Sequence, residues 1–324
     1  MSFSSAVKNE LSRIMPDRRC CRLAELSAIV RTGGIIKFHG AQRISLRMVT
    51  ENAAIARKVF SLLKKIYGLN LEIMVKKNKH LKKNYSYIME ITHGMGAKTV
   101  LQQTGVMNKN RDESINIDYR IPAGIKKSRC CCRSYLRGAF LGGGSVSSPD
   151  KAYHLEFVTN SGQHADHLRN LINAFGLNSK IVERKGNYVV YLKEGEQIVD
   201  LLNIMGAHNA LLKFENTRIY KEMRNNVNRI VNCETANLTK TINASVKQIE
   251  NIEYIRDTAG LNSLPPNLRE IAELRLNYRE ASLKELGQML TPPLGKSGIN
   301  HRLRKIEQKA EDIKTKRDTK RHRS

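Results

Sequence analysis

An internal repeat constrains the fold of this 324-residue chain more than any other feature of its sequence. The string that begins at Cys21 (CRLAELSAIVRTGGI) returns with drift at Cys132 (CRSYLRGAFLGGGSV). Further along, Val49-Thr50 returns as Val158-Thr159. Two copies that stay in phase over this distance indicate a duplicated structural unit with loops of slightly different length.

Each copy predicts the same order of elements. An apolar helix rich in small residues ends in glycines, two short strands follow, and an amphipathic helix and two more strands complete the copy. The amphipathic helices are expected at about 52–67 and 162–175. The copies, at about 19–120 and 130–225, therefore predict one α+β domain over residues 1–225. Its antiparallel strands would form a saddle built from an α-β-β-α-β-β unit in duplicate.

The strands alternate between apolar and polar residues. Ile44, Leu46 and Met48 point one way and their neighbours the other, so one sheet face packs under helices and the other is polar. In the second copy we expect Glu156 on the polar face beside Lys180 and Arg184, which weakens that face as a DNA-binding surface. The candidate auxiliary DNA contacts on the polar faces are Arg43, Arg47, Lys180 and Arg184.

The chain carries a large excess of positive charge, with 56 Lys and Arg against 30 Asp and Glu and a formal net charge of +26. Such a charge attracts polyanions, so nucleic acid is the expected partner class, ahead of membrane surfaces and acidic proteins. The sequence lacks both a long apolar run and a secretory hydrophobic segment at its start. We therefore expect a cytoplasmic, nucleoid-associated protein with no membrane partner.

Six cysteines stand at positions 20–21, 130–132 and 233. Adjacent cysteines lack the spacing of ordinary tetrahedral zinc ligands, and a cytoplasmic protein keeps its thiols reduced. Both clusters begin an apolar helix of the repeat, and a helix N-terminus lowers thiol pKa. A pseudo-twofold axis would bring these thiols together. We expect small, buried, inert thiols with no metal and no cofactor, and a redox or metal role is the alternative.

Residues 226–237 (NVNRIVNCETAN) are rich in Asn and predict a hinge loop. Residues 238–324 predict a separate helical domain that ends in a basic tail. Helices are expected over 238–258, after the Pro265-Pro266 pair, and from Ser282, whose capping box with Glu285 marks a helix start. The prolines and glycine of Thr291–Gly295 then predict a turn before the last helix.

The last helix opens at Lys296 and places Ile299, Leu303 and Ile306 on its inner face. Its outer side chains suit base edges, since Asn pairs with adenine and Arg or Lys with guanine, while its flanks suit phosphates. Residues 314–324 have no apolar side chain and predict a frayed or disordered basic tail. The candidate base contacts are Lys296, Ser297, Asn300, His301 and Arg304, and the candidate phosphate contacts are Arg302 and Lys305.

Two parts of the chain resemble known folds that act on DNA. The last two helices and their turn are similar to the helix-turn-helix of the sigma factor region 4 class, whose final helix enters the major groove. The string 136–146 (LRGAFLGGGSV) resembles the LAGLIDADG motif of homing endonucleases. That resemblance implies two motif helices packed side by side through small residues, which here are Ala24, Ser27, Ala28, Gly138, Ala139 and Gly142.

The same resemblance implies that nuclease activity has been lost. In the homing endonucleases the last acid of the motif holds the divalent metal that cleaves the strand. We align this acid with Thr32 in the first copy and Gly143 in the second. Neither residue supplies the anionic oxygen ligand that Mg²⁺ requires. The chain is therefore expected to lack catalytic residues and not to be an enzyme.

A degenerate LAGLIDADG duplication followed by a helix-turn-helix resembles the WhiA family, as do the strings 227–229 (VNR), 232–237 (NCETAN) and 298–304 (GINHRLR). The resemblance implies a bacterial, sequence-specific transcription regulator linked to sporulation or cell division. Its expected partner is double-stranded DNA. Because some members of the family act with an iron–sulfur protein, another transcription regulator is a candidate partner.

Two other functions remain open. One is an active nuclease that uses acids elsewhere in the chain, and the other is an RNA-directed, maturase-like protein, since charge alone does not separate RNA from DNA. The missing motif acids argue against the nuclease. The helix-turn-helix argues against RNA, because the major groove of an A-form duplex is too narrow to admit a helix.

Overall fold

Each copy of the repeat folds as a helix, two strands, a helix and two strands, which confirms the predicted order. The computed structural model describes residues 2–39, 43–77, 85–109 and 115–321. The chain divides into two units, Met1–Met223 and Arg224–Ser324.

The elements up to the second copy are α1 (Phe3–Arg13), α2 (Arg19–Gly33), β1 (Gly34–His39), β2 (Arg43–Thr50), α3 (Ala53–Tyr67), β3 (Ile73–Lys77), β4 (Tyr85–Ile91), α4 (Ala97–Gln103), β5 (Met107–Lys109), β6 (Ile115–Ile117) and α5 (Ala123–Lys126). The second copy and the helix after it are α6 (Arg129–Gly143), β7 (Gly144–Val146), β8 (Leu155–Thr159), α7 (Gly162–Asn173), β9 (Lys180–Arg184), β10 (Asn187–Leu192) and α8 (Gly195–Met205).

Two antiparallel four-stranded sheets carry the two copies, in the strand orders β1-β2-β4-β3 and β7-β8-β10-β9. Gly34 pairs with Met48 where β1 leaves α2, and Gly144 pairs with Phe157 where β7 leaves α6. Gly34 and Gly144 are therefore equivalent positions of the duplication.

One face of each sheet is covered by helices, as the alternation predicts. In β2, Ile44, Leu46 and Met48 are buried and belong to the core that α3 closes. Arg43 and Arg47 lie at alternate positions of the same strand and are exposed and half-buried, respectively. The pleat of the strand thus leaves a polar sheet face away from the helices.

The helices α2 and α6 pack side by side in the first unit. A Cβ atom on Gly138 would lie 2.2 Å from the carbonyl oxygen of Glu25, and one on Gly142 would lie 2.0 Å from Oγ1 of Thr32. Both separations are far below van der Waals contact, so the backbones approach as closely as they do only because these positions lack a side chain.

A buried ionic network joins α2, α3 and α6. Oε1 of Glu25 lies 3.1 Å from Nζ of Lys58 and 3.1 Å from Nε of Arg137. Lys58 also donates to the carbonyl of Ile14, and Arg137 to the carbonyl of Met205 at 3.1 Å. Removing one partner of such a buried network leaves an uncompensated charge, which typically costs about 3–5 kcal/mol. The network therefore favours this one packing of the three helices.

A single long helix replaces the predicted hinge loop. Helix α9 spans His208–Ala259, 52 residues, so the loop expected at 226–237 is wrong. The sequence of α9 contains no Gly or Pro, and Val227, Ile230 and Leu238 recur at helical spacing. Nothing in this segment therefore ends the helix, despite its many Asn residues.

The rest of the second unit is also helical, and its core includes Ile271, Leu286 and Leu303. Its elements are a 3₁₀ turn (Leu261–Ser263), α10 (Pro266–Asn277), α11 (Leu283–Gln288) and α12 (Lys296–Arg321). These helices begin where the proline pair, the capping box and Lys296 predict.

Helix α12 also includes most of the predicted basic tail. It continues to Arg321, so the disorder expected from Lys314 onward is wrong for this part, and residues 322–324 lie outside the described residues. Lys and Arg are good helix formers, and no Gly or Pro interrupts them here.

None of the helices in the described part of the chain combines the length and the apolar content needed to cross a membrane.

Candidate nucleic-acid interface

The helix-turn-helix begins with a capped helix, α11. The Ser282 hydroxyl accepts the N–H of Glu285 at 3.3 Å, and the Glu285 carboxylate accepts the N–H of Ser282 at 2.7 Å. The bond from the Ser282 backbone holds the pKa of the Glu285 carboxyl below its ordinary value. This confirms the predicted capping box, which fixes the start of α11 and so the position of the turn that follows.

One face of α12 is seated in the core of the second unit. Ile299, Leu303 and Ile306 are 0%, 3% and 1% exposed, as the apolar spacing predicts, and Ala310 extends this face by one turn. They pack with α10 and α11. Full burial of an aliphatic side chain of this size contributes about 1.5–3 kcal/mol. The opposite face of α12 is thereby held toward solvent.

The candidate base contacts are not equally exposed. Ser297, His301 and Arg304 follow one another at helical spacing opposite the buried face, and all three are exposed. Lys296 is exposed at the first position of the helix. Asn300 lies nearer the buried face and is half-buried. The structure therefore places Ser297, His301 and Arg304 better than Asn300 for contact with a partner.

The two candidate phosphate contacts also differ. Lys305 is exposed beside Arg304. Arg302 is half-buried, and its Nη1 donates to the carbonyl of Asn267 in α10 at 3.2 Å. Arg302 thus connects α12 to α10, and Lys305 is the freer of the two cations for a phosphate.

Sequence reasoning missed Gln308. This side chain is exposed four residues after Arg304 and on the same side of α12. The signal was present, since positions 297, 301, 304 and 308 share one helix face, and an amide can bond adenine as Asn does. We call this set the outward row: Ser297, His301, Arg304 and Gln308.

The first acid of α12 is already paired. Glu307 is half-buried, and its Oε1 lies 2.5 Å from Nζ of Lys247 in α9. The hydrogen bond to Glu307 raises the pKa of Lys247 above its ordinary value. The next acids, Glu311 and Asp312, lie beyond the outward row. The outward row therefore lies in a positive segment of the helix.

The polar face of the first sheet carries a carboxylate as well as cations. Arg43 is exposed at the start of β2, opposite His39. Arg47 pairs across the sheet with Glu90 in β4, and the carboxylate of Glu90 accepts the Ser45 hydroxyl at 3.3 Å. Glu90 therefore reduces the positive charge around Arg47, an effect that the strand pattern of β2 alone did not show.

On the second sheet Lys180 and Arg184 are exposed, as expected. The prediction that Glu156 lies beside them is wrong, because β10 lies between β8 and β9 and its Tyr191 pairs with both Glu156 and Lys180. The carboxylate of Glu156 instead lies 3.0 Å from Nε2 of His154.

Both motif helices end without a carboxylate. Helices α2 and α6 each have 15 residues and end at the C-caps Gly34 and Gly144. Their last residues, Gly33 and Gly143, are therefore equivalent, and the alignment of Thr32 with Gly143 is wrong by one position. Neither glycine offers a side-chain oxygen to a divalent metal.

The paired cysteines meet at the start of α2 and α6. Sγ of Cys21 lies 3.9 Å from Sγ of Cys131, and Cys20 joins them to form a group whose sulfurs lie within 4.8 Å of one another. Burial raises the pKa of Cys21 to about 11, and burial also raises that of Cys131. A hydrogen bond with Ser128 lowers the pKa of Cys130 to about 7. The expectation of buried thiols holds for Cys21, Cys131 and Cys132, whereas Cys130 is half-buried and Cys20 and Cys233 are exposed.

Three regions of the chain match sequence models of one family. Residues 19–107 match the WhiA N-terminal LAGLIDADG-like domain, residues 132–224 the WhiA LAGLIDADG-like domain, and residues 227–310 the WhiA C-terminal HTH domain. Together these regions account for both copies of the repeat and for most of the helical unit.

Similar proteins match over nearly their whole length. The probable cell division protein WhiA of Alkaliphilus metalliredigens is 59% identical over 311 residues, which cover 96% of this chain and 98% of that protein. Its counterpart in Alkaliphilus oremlandii is 60% identical over 309 residues, 95% of this chain and 96% of that protein. The crystal structure of full-length DUF199/WhiA from Thermatoga maritima matches with a TM-score of 0.59 and 27% identity, over 96% of this chain and 99% of that one.

Proposed function

The chain belongs to the WhiA family, and we propose on this premise that it is a sequence-specific regulator of transcription that binds double-stranded DNA and acts in cell division or sporulation. The name of its relatives supports the link to cell division. The helix-turn-helix reads the DNA sequence, and the LAGLIDADG-like domain serves as a scaffold without nuclease chemistry.

The outward row of α12 is the observation that carries this proposal. It presents a hydroxyl, an imidazole, a guanidinium and an amide on one exposed helix face. These groups match the donors and acceptors of base edges in the major groove, where Arg bonds guanine and Gln bonds adenine. From Ser297 to Gln308 the row is about 16 Å long, at about 1.5 Å per residue. A helix of this length follows several base pairs along the groove.

Exposed cations around the outward row supply the phosphate contacts. Lys305 and Lys309 lie beside the outward row on α12, and Lys284 is exposed at the start of α11. In a helix-turn-helix the first helix crosses the DNA backbone while the second enters the groove. Lys284 and Lys305 would then position the module, and the outward row would distinguish sequences.

The two glycines that end α2 and α6 support a non-enzymatic role. Gly33 and Gly143 stand where the homing endonuclease motif has its metal-binding acids. Without these acids the divalent ions that stabilise the attacking and leaving oxygens have no ligands at the helix ends.

The polar face of the saddle adds an auxiliary contact with the phosphate backbone. Arg43, Lys180 and Arg184 are exposed on this face. Glu90 and Glu156 lie on the same face and lower its positive potential, and Arg47 is half-buried opposite Glu90. The saddle therefore contributes affinity without sequence preference, and Arg43 contributes more than Arg47.

Selection of bound sequences from a random duplex library by the full-length protein tests the proposal. We expect one enriched motif, and we expect Arg304→Ala to lose the preference at one base position. The same duplexes should stay intact with Mg²⁺ or Mn²⁺. Recovery of unenriched DNA would exclude sequence-specific regulation, and metal-dependent cutting by pure protein would exclude the inactive scaffold.

A further inference from the structure

The cysteines at the start of α2 and α6 form a cluster that the proposed DNA-binding function does not use. Three sulfurs, those of Cys20, Cys21 and Cys131, all lie within 4.8 Å of one another. Cys130 stands beside Cys131 in the first turn of α6 and lines the same cleft as Cys21. We propose that Cys20, Cys21, Cys130 and Cys131 form a thiolate site for one thiophilic cation, with Zn²⁺ as the fitting example.

The distances suit such a site. Zinc takes thiolate ligands at about 2.3 Å in a tetrahedron, which places neighbouring sulfurs roughly 3.8 Å apart. Sγ of Cys21 and Sγ of Cys131 are 3.9 Å apart. The sulfur of the exposed Cys20 lies within 4.8 Å of both, and in the metal complex it would move to the same separation.

The duplication explains how adjacent cysteines can serve one metal. With Gly34 and Gly144 equivalent, Cys20 matches Cys130 and Cys21 matches Cys131, so each helix contributes the same two positions of its first turn. A zinc site normally takes spaced cysteines from one loop. Here the spacing is supplied by the meeting of two helices across the pseudo-twofold axis.

Nearby positive groups offset part of the cost of burying sulfur anions, which raises the pKa of Cys21 and Cys131 in the metal-free protein. Both helix N-termini point their positive ends at the cluster, and each is equivalent to roughly half a positive charge. Arg18 and Arg133 line the same cleft as Cys21 and Cys130. Four thiolates around Zn²⁺ carry a formal charge of −2, which these groups offset.

A cation can reach the cluster. The cleft beside Cys21 and Cys130 has a volume of about 770 Å³, and Cys20 is exposed.

The remaining two cysteines do not contribute to the proposed site. Cys132 is buried with its thiol directed at the Ile125 carbonyl, 3.4 Å away, and Cys233 lies exposed on α9. These two cysteines serve as matched controls.

The test uses full-length protein, kept reduced and stripped of metal with a chelator. Titration with Co²⁺ should give the visible bands of a tetrahedral thiolate complex at one equivalent per chain, and Zn²⁺ should displace them. Zn²⁺ should also raise Tm, because a ligand that binds the folded state stabilises it.

Cys20→Ser should weaken Zn²⁺ binding at least tenfold, and Cys21→Ser and Cys131→Ser should abolish it, whereas Cys132→Ser and Cys233→Ser should bind as the native chain does. Cys20 is exposed, so its variant keeps the test valid if the buried variants do not fold. Absence of stoichiometric binding by the reduced protein would overturn the proposal, as would binding that survives Cys20→Ser unchanged. A Cys21–Cys131 disulfide formed by mild oxidant in protein that takes no Zn²⁺ would also overturn it.

Discussion

Gly287 in α11 lies directly against Leu294 in the turn before α12. The N–H of Leu294 donates to the carbonyl of Gly287 at 2.9 Å. A Cβ atom on Gly287 would lie 2.1 Å from the carbonyl oxygen of Leu294. Only glycine permits this approach, which sets the angle at which the turn delivers α12.

Gly287→Ala should therefore destabilise the second unit and weaken binding to specific DNA. Overpacking of this kind typically costs about 1–3 kcal/mol. Denaturant unfolding followed by circular dichroism measures this destabilisation. The control is Gly298→Ala in α12, where a Cβ would meet Leu294 at 3.8 Å, an ordinary contact. That change should stabilise the helix by up to about 1 kcal/mol. Equal stability of the two variants would contradict the requirement for glycine at position 287.

The saddle contact predicts a change in salt dependence. Arg43→Gln combined with Arg184→Gln removes two exposed cations from the polar face. Removing one cation that touches a phosphate lowers the slope of log K against log salt by about 0.9. We expect the slope of the full-length protein to fall by up to about 2 in a titration series on random duplex DNA.

The control pair for the saddle is Lys64→Gln with Arg169→Gln. It removes the same charge from α3 and α7, the helices that cover the opposite sheet faces. This pair should leave the slope nearly unchanged. An equal fall of the slope for the two pairs would mean that the saddle cations attract DNA only over long range and do not contact its phosphates.

His164 predicts a pH dependence of stability in the first unit. The side chain is buried, and its ring nitrogens bond the Tyr135 hydroxyl at 2.8 Å and the Thr159 hydroxyl at 3.0 Å. Burial lowers its pKa to about 3. As pH falls below about 6.5, the unfolded chain takes up a proton that the folded chain does not. This site therefore lowers the unfolding free energy by up to about 1.4 kcal/mol per pH unit.

His164→Gln should flatten this dependence between roughly pH 6.5 and 4.5, measured by denaturant unfolding at several pH values. His93 is exposed, and His93→Gln is the control that should keep the native slope. If the two variants lose stability with pH in parallel, His164 is not the group responsible.

Local patterns in the sequence were sufficient for much of the fold and of the candidate site. The Ser282–Glu285 capping box and the spacing of Ile299, Leu303 and Ile306 depend on residues close in the chain, so their geometry follows from helix periodicity. The outward direction of Arg304 follows from the same periodicity.

The features that were missed depend on contacts between distant segments or on signals that compete locally. The bond from Arg302 to Asn267 joins two helices, and Tyr191 separates Glu156 from Lys180 only because β10 lies between their strands. In α9 the Asn content predicts a loop, whereas the absence of Gly and Pro favours the continuous helix that the structure has.

The most direct test of the account compares binding free energies on two duplexes, the selected motif and random sequence, at one salt concentration. Arg304→Ala should lose about 1–3 kcal/mol on the motif and much less on random DNA. Lys316 is exposed farther along α12, and Lys316→Ala should weaken binding to both duplexes alike. Equal losses on both duplexes for Arg304→Ala would contradict base reading by the outward row.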